Sequence, residues 1–401
     1  MRVAIFLEAY LTFTNGVRTH VETLKAGLEK LGNDVLIVCA LPGIKRHILK
    51  DGVLCCPSIG LKKMYNYGMA GPVNFRRFKY VKDFKPDVIH IHTEFGIGFS
   101  GASIARFLRI PYIYTMHTMY DDYIYYIAPK KLINIAKKTA HLYFRLLAKR
   151  ATCIIGPSFK AENFLKICGV KKNIDVIPNS VELSLFNEHS VSSQKKQALK
   201  EKLLIKEYDV VACFCGRLGK EKSVDVLLKN WSELIRERAN YKLLILGDGP
   251  CMEELKNLAL QLNLSKNVIF LGKIPHKELP LYYCICQFYI TASLSEVHSI
   301  SMLEAMSTGL AIFNIYDELN NVQIKEGVNG FIYKDVFELK KLIYAFESMS
   351  VEQKKALRMS TRASVLKYGE EDLAKKVLVV YEKALDIYSK RRKAKKWRAN
   401  I

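Results

Sequence analysis

Short, almost wholly apolar runs recur along this chain, separated by longer stretches with a single apolar face. The runs at 3–7 and 35–38 predict strands buried on both faces. Between them, residues 17–31 show helical spacing and stop at Gly32. This is a β–α–β unit with Asn15-Gly16 at its strand-to-helix turn. The alternation continues with strands at 87–92, 111–116, 151–155 and 175–177, and helices at 97–108, 130–150 and 158–168. Lys85-Pro86 precedes the first of these strands, and Pro178-Asn179 stops the last. A polar stretch at 188–202 reads as a domain boundary. The pattern then restarts, with strands at 210–215, 242–246, 268–271 and 288–290 and helices at 224–236, 252–262 and 300–306. Helices from about Phe337 onward close the chain. The fold class predicted is α/β: two Rossmann-like, doubly wound parallel-sheet domains, 1–187 and 188–369, followed by a closing segment, 370–401. Tandem domains of this kind take ligands in a cleft at the carboxyl ends of their strands.

Composition narrows the class. The chain has 401 residues, half of them hydrophobic, enough for two separate cores. No apolar run reaches the roughly 18 residues of a membrane span. The opening run ends at Glu8 without a cleavage region and reads as a first buried strand rather than a signal peptide. Ten cysteines include Cys55-Cys56, Cys213-x-Cys215 and Cys284-x-Cys286 but no CxxC pair. That points to buried thiols in a reduced, cytosolic protein and away from zinc-ribbon or thioredoxin-like chemistry.

The net charge is +23, and its distribution matters more than its size. Residues 1–187 hold 27 Lys and Arg against 13 Asp and Glu, and residues 390–401 hold seven basic residues and no acid. Such an excess attracts an anionic membrane surface or nucleic acid. No zinc-finger or helix-turn-helix signature accompanies it, so a nucleic-acid partner is not expected. Helix 130–150 mixes Leu132, Ile133, Ile135, Leu142, Phe144 and Leu146 with seven cations, from Lys130 to Arg150. It reads either as an interfacial helix or as a core-facing helix with a solvated basic face. Tyr65, Tyr67 and the run Phe75 to Tyr80 likewise interleave aromatics with cations, and Trp397 lies in the basic tail.

Candidate chemistry gathers where strands end. After strand 210–215 comes Gly216-Arg217-Leu218-Gly219-Lys220-Glu221-Lys222, a glycine-bearing loop whose Arg217 and Lys222 suit a diphosphate. After 242–246 comes Gly247-Asp248-Gly249-Pro250, either a close approach of backbone to a flat ligand or a tight turn. After 288–290 comes Glu296-Val297-His298-Ser299-Ile300-Ser301-Met302-Leu303-Glu304. The amides of the helix start, Val297 to Ser301, are expected to bind an anion. Glu296 and Glu304 are expected either to grip hydroxyls or to be an acidic cap and a surface glutamate. In the first half His117 follows a strand end and suits a sugar hydroxyl or an acceptor's proton, or is simply structural. His90, His92 and Glu94 end the neighbouring strand; as metal ligands their spacing is weak, and no metal site is expected.

In this order the motifs G-R-L-x-x-E-K, L-G-D-G-P, E-x7-E and A-M-S-T-G, with the Gly16 loop and His117, resemble the GT-B glycosyltransferases of family 4 over nearly the whole chain. The resemblance implies retaining transfer of a sugar from a nucleotide-diphosphate donor, with no metal and no other cofactor. It implies that Arg217 and Lys222 hold the diphosphate, Glu304 the ribose hydroxyls and Glu296 the hydroxyls of the donor sugar. His117 would sit near the reacting sugar, and backbone from His298 through Ser299 and Ile300 to Ser301 would meet sugar and phosphate. Gly16, Gly216, Gly247 and Asp248 join the donor-binding set. A closing helix over about 370–390 would cross back to the first domain. The opening E-A-Y-L and the block H-T-M-Y-D-D-Y-I-Y-Y from His117 look like membrane-surface enzymes that glucosylate diacylglycerol. The implied setting is the cytoplasmic face of the cell membrane, with a lipid acceptor and an anionic surface as partners. Ser299, Ser180 and Ser223 stand where that family often has glycine. Transfer to a capsular or lipopolysaccharide saccharide, nucleotide-sugar epimerisation, a non-catalytic subunit and a nucleic-acid binder using the basic excess are the competing readings.

Overall fold

A computed structural model describes residues 1–11, 16–61, 67–117, 121, 129–318 and 322–399. The chain forms two compact units, Met1–Asn179 with Glu370–Ile401, and Ser180–Gly369.

In the first unit the strands are β1 (Arg2–Ala9), β2 (Asp34–Pro42), β3 (Ile48–Lys50), β4 (Val53–Leu61), β5 (Tyr67–Met69), β6 (Val88–Ile91), β7 (Tyr112–Thr115), β8 (Cys153–Gly156) and β9 (Asp175–Val176). Their order is β3-β4-β2-β1-β6-β7-β8-β9, with β5 paired to β4. All pairs are parallel except β3 and β5 against β4. Its helices are α1 (Gly16–Lys30), α2 (Phe75–Phe84), α3 (Gly96–Leu108), α4 (Ile133–Arg150) and α5 (Phe159–Ile167). β3, β4, β5 and α2 were not legible in the sequence. Their stretch is broken by Pro57, Gly60 and Gly68, which interrupt any periodic signal.

The second unit holds α6 (Ser193–Lys202), β10 (Val210–Cys215), α7 (Val224–Ile235), β11 (Tyr241–Leu246), α8 (Met252–Gln261), β12 (Val268–Gly272), α9 (Leu279–Cys284), β13 (Phe288–Thr291), α10 (Ile300–Ser307), β14 (Ala311–Ile315), β15 (Gly330–Tyr333), α11 (Val336–Ser348) and α12 (Val351–Val365). The six parallel strands run β12-β11-β10-β13-β14-β15. Apolar cores lie on both faces of this sheet, one around Trp231, Leu243 and Phe313, the other around Leu244, Leu303 and Tyr283.

The units divide at Asn179/Ser180, ahead of the polar stretch expected to separate them. Val181 and Phe186 are fully buried in the second unit's core, and the Val181 amide donates to the Tyr368 carbonyl at 2.9 Å. The polar stretch itself holds α6, whose N-cap Ser192 accepts from the Lys195 amide. The closing helix α13 (Glu370–Ala399) is longer than expected and belongs to the first unit. Leu373, Val377, Val380, Tyr381 and Ala384 enter the core with β1 and α1. α1 approaches so closely that a Cβ on Gly27 would stand 2.4 Å from the Glu370 carbonyl oxygen. This placement concentrates the charge. The first unit carries 37 Lys and Arg against 17 Asp and Glu, the second 25 against 22.

Candidate active site

Parallel strands place the residues that follow them at one end of each sheet. In the second unit these are the loops after β10, β11 and β13. The Gly216 amide donates to the Leu246 carbonyl at 2.9 Å, and the Leu218 amide to the Asp248 carbonyl at 3.0 Å. Gly247 has φ +135°, and a Cβ there would lie 1.9 Å from the Gly216 carbonyl oxygen. The close approach that demands glycine at 247 is therefore to the neighbouring loop. Asp248 turns back on its own loop, accepting from the Gly249 amide at 2.7 Å.

Within this frame Arg217 Nη2 reaches Glu221 Oε1 at 2.6 Å. The Glu221 side chain is 1% exposed and that of Arg217 is 42% exposed, so a buried carboxylate anchors a cation whose head faces outward. Sequence reasoning missed Glu221; its signal was an acid four residues after an arginine in a glycine loop. Lys222 Nζ pairs with Glu296 Oε1 at 2.6 Å. The two residues expected to serve different parts of a donor thus meet each other. Ser223 has φ +51° and starts α7 in the left-handed region, a conformation that glycine adopts at no steric cost.

Glu304 is not a surface glutamate. It is 4% exposed, with His276 Nε2 at 2.7 Å from Oε1 and the Tyr283 hydroxyl donating to Oε2 at 3.2 Å. Burial, and after it the Glu304 carboxylate, push the Cys215 thiol up to about 12. His276 and Tyr283 were not singled out in the sequence, since each lies in an ordinary helical context of α9 and the turn before it.

Ser299 caps α10, accepting from the Met302 amide at 3.4 Å. Its own amide donates to Gln323 Oε1 at 2.9 Å, and Gln323 Nε2 donates back to its carbonyl at 2.8 Å. The expected anion-binding run from Val297 to Ser301 is corrected accordingly: Ser299 N–H is already committed. Ile300 and Ser301, the first two helical residues, lie ahead of any intrahelical partner. Ser301 Oγ lies 3.1 Å from the Tyr289 hydroxyl, which donates to the Cys215 carbonyl at 3.0 Å. His298 is buried with its ring 5.4 Å from that of Tyr368.

In the first unit Gly16 is the exposed first residue of α1; Asn15 lies outside the described residues. His117 follows β7 and joins a cluster. Its Nε2 is 2.8 Å from His92 Nδ1, and its ring centroid is 4.7 Å from that of His20. His90 bonds Tyr381 of α13 at 2.8 Å and Thr115 at 2.7 Å. Asn179, which ends this part of the unit, lies beside His20 and offsets part of the effect of burial on its ring. Glu94 accepts from the Tyr114 hydroxyl at 2.6 Å. The nitrogens of His20, His92 and His117 lie within 4.8 Å of one another, the one cation-ligand grouping among the described residues. The rest of the block 117–126 lies outside the described residues, save Asp121, which accepts from His141 at 2.8 Å.

Burial holds all four imidazoles neutral, His20 down to about 4 and the others well below the usual range, with neighbouring histidines adding to the effect for His90, His92 and His117. A histidine whose folded pKa lies below its unfolded value binds fewer protons when folded. The stability it contributes is complete above pH 6.5 and is lost as pH falls toward the folded value. Thermal melts should fall between pH 7 and 5, with His20 alone contributing a loss of about 2 kcal/mol. Equal stability at both values would contradict this burial.

The basic amphipathic helix turns Phe144, Leu147 and Ala148 into the core and leaves other apolar side chains exposed. On and beside α4, Leu132, Ile135, Leu142 and Leu146 are 46–62% exposed amid Lys138, Arg145, Lys149 and Arg150. Val73, Phe75 and Phe107 are exposed as well, whereas Arg77 is buried and donates to the Gly71 carbonyl at 3.0 Å. Tyr65 and the side chains of Tyr67, Lys130 and Trp397 lie outside the described residues. No helix among the described residues is long and apolar enough to cross a membrane.

Two parallel α/β units in tandem, with a cation-bearing loop, a capped helix start and a clamped glutamate at the strand ends of the second, define a GT-B glycosyltransferase. The family model for "Glycosyltransferase Family 4" matches residues 14–185, and that for "Glycosyl transferases group 1" matches residues 195–365. The chain is 32% identical to the alpha-monoglucosyldiacylglycerol synthase of Acholeplasma laidlawii, over 98% of this chain and 99% of that one. It is 30% identical to the enzyme of the same name from Streptococcus pneumoniae, over 83% of this chain and 75% of that one. Anabaena Alr3699/HepE, solved in complex with UDP, shares the fold with TM-score 0.72 and 16% identity, over 96% of this chain and 100% of that one. The chain belongs to glycosyltransferase family 4.

Proposed function

We propose that this enzyme transfers glucose, with retention at the anomeric carbon, from a nucleotide-diphosphate sugar such as UDP-glucose to diacylglycerol at the cytoplasmic face of a membrane. The similarity to alpha-monoglucosyldiacylglycerol synthase from one end of the chain to the other carries this reading. The donor's diphosphate replaces Glu296 as the counter-ion of Lys222, since it brings more negative charge than one carboxylate. Glu296 then turns to hydroxyls of the glucose. Arg217, backed by Glu221, adds its fork, and the amides of Ile300 and Ser301 add the positive end of α10. Glu304, fixed by His276 and Tyr283, accepts from the ribose hydroxyls, and His117 bonds a hydroxyl of the reacting sugar. Gly16 and Gly216 border the donor.

In the reaction the bond from the anomeric carbon to the diphosphate oxygen breaks. The bond to the acceptor oxygen forms on the same face, and the acceptor's proton passes to a diphosphate oxygen. The protein's part is to steady the departing charge, which cations and helix amides do without a metal.

The positive charge and exposed apolar side chains of the first unit support docking on an anionic surface. Binding to liposomes rich in anionic lipid should weaken as salt rises, because screening shortens the reach of exposed charges. Sedimentation with liposomes across a salt series reads this; binding indifferent to salt would remove the electrostatic part. The function is tested by incubating the protein with UDP- and GDP-sugars and liposomes carrying diacylglycerol, and determining the anomer of the lipid product. An α-glucosyl lipid is expected. An inverted product, or transfer only to saccharides, would overturn the proposal.

A further inference from the structure

The four-histidine cluster of the first unit is larger than a single residue facing a sugar requires. Three of its members also have the composition of a cation site, but one distance argues against that use. Two nitrogens bound to the same tetrahedral zinc stand about 3.3 Å apart. His92 Nδ1 and His117 Nε2 stand 2.8 Å apart, the length of a hydrogen bond. Both rings are neutral, so one nitrogen donates and the other accepts.

The direction of that bond follows from the other side of His92. Its Nε2 is buried and has no hydrogen-bond partner among the described residues. If His117 donated, His92 would carry its proton on Nε2, leaving a buried N–H without an acceptor. If His92 donates from Nδ1, only a lone pair is left there, and buried donors are the rarer orphans in folded proteins. The ring of His92 is held by its neighbours, 4.0 Å from His90 and 5.1 Å from His117 between centroids. His90 is itself fixed at both nitrogens, by Tyr381 and Thr115.

We infer that His92 is a positioning residue that donates to His117 Nε2 and thereby sets His117 in the tautomer whose proton is on Nδ1. His117 is the half-buried ring of the four, and the nitrogen it turns away from His92 is then a hydrogen-bond donor. A donor there bonds a hydroxyl oxygen of the sugar and takes no proton from the acceptor. The second half of this inference rests on the reading that His117 faces the reacting sugar; the tautomer does not.

Two measurements separate those halves. Long-range proton–nitrogen correlation spectra of histidine-labelled, metal-free enzyme, with His117 assigned by His117→Gln, should show its proton on Nδ1. A proton on Nε2, or stoichiometric shifts of these rings on adding zinc alone, overturns the inference whatever the enzyme transfers. Kinetics supply the rest. In His92→Asn the side-chain amide can donate from near the place of Nδ1, and kcat should stay within about threefold. In His92→Leu the donor is gone, and kcat should fall about tenfold or more with KM for the nucleotide sugar unchanged. Equal kcat in the two variants, or a loss confined to donor KM, rejects His92 as a positioning residue. Absence of any sugar transfer by the wild-type enzyme would count against the proposed function and leave the spectra to decide the tautomer.

Discussion

Lys222→Ala should lower kcat by about 10²–10³ if, as proposed, this cation steadies the charge that develops on the leaving diphosphate. The structure sharpens what to look for. Lys222 and Glu296 form a pair whose side chains are 16% and 17% exposed. Removing the lysine therefore also leaves Glu296 without that partner, facing an incoming anion. Donor KM should rise together with the fall in kcat. Lys222→Arg keeps the charge but not the point geometry, and should recover only part of the loss. Steady-state kinetics with the donor varied at saturating diacylglycerol in mixed micelles would check this. Full turnover in Lys222→Ala would remove the lysine from the leaving-group site and with it the metal-independent mechanism.

The second large effect is expected at Glu304. Its carboxylate is held by His276 at 2.7 Å and Tyr283 at 3.2 Å, and on the proposed reading its remaining acceptor capacity meets the ribose. Glu304→Gln places an amide donor against one of these partners and weakens the acceptor. Hydrogen bonds to a charged group are worth about 1.5–3 kcal/mol, so donor KM should rise about tenfold to a hundredfold. The loss should be mostly in KM, since the ribose is bound alike in ground and transition states. A 2′,3′-dideoxy donor should then be used about equally by wild type and variant. If the variant still prefers the ribose form, Glu304 serves the fold alone.

The strand-end loops were readable because their chemistry is local. A glycine-flanked Arg217 and Lys222 after an apolar run, or a helix start between Glu296 and Glu304, declares its type within a few residues. The partners of those residues were less readable. Glu221, Gln323 and His276 are ordinary by composition, and only a folded chain brings Gln323 within 2.9 Å of the Ser299 amide. The same limit explains the boundary. A polar stretch looks like a linker, yet buried Val181 and Phe186 had already committed the preceding residues to the second core.

The order of apolar runs and amphipathic stretches determined, without coordinates, that two parallel α/β sheets would form and which loops would stand at their strand ends. Strand and helix periods are properties of neighbouring residues, and parallel strands with helical crossovers leave little choice of topology. Tertiary structure alone decided which charges meet, where α13 belongs and that four separated histidines share one buried cluster. Those outcomes depend on contacts between positions as distant as His90 and Tyr381, for which the intervening sequence carries no periodic signal.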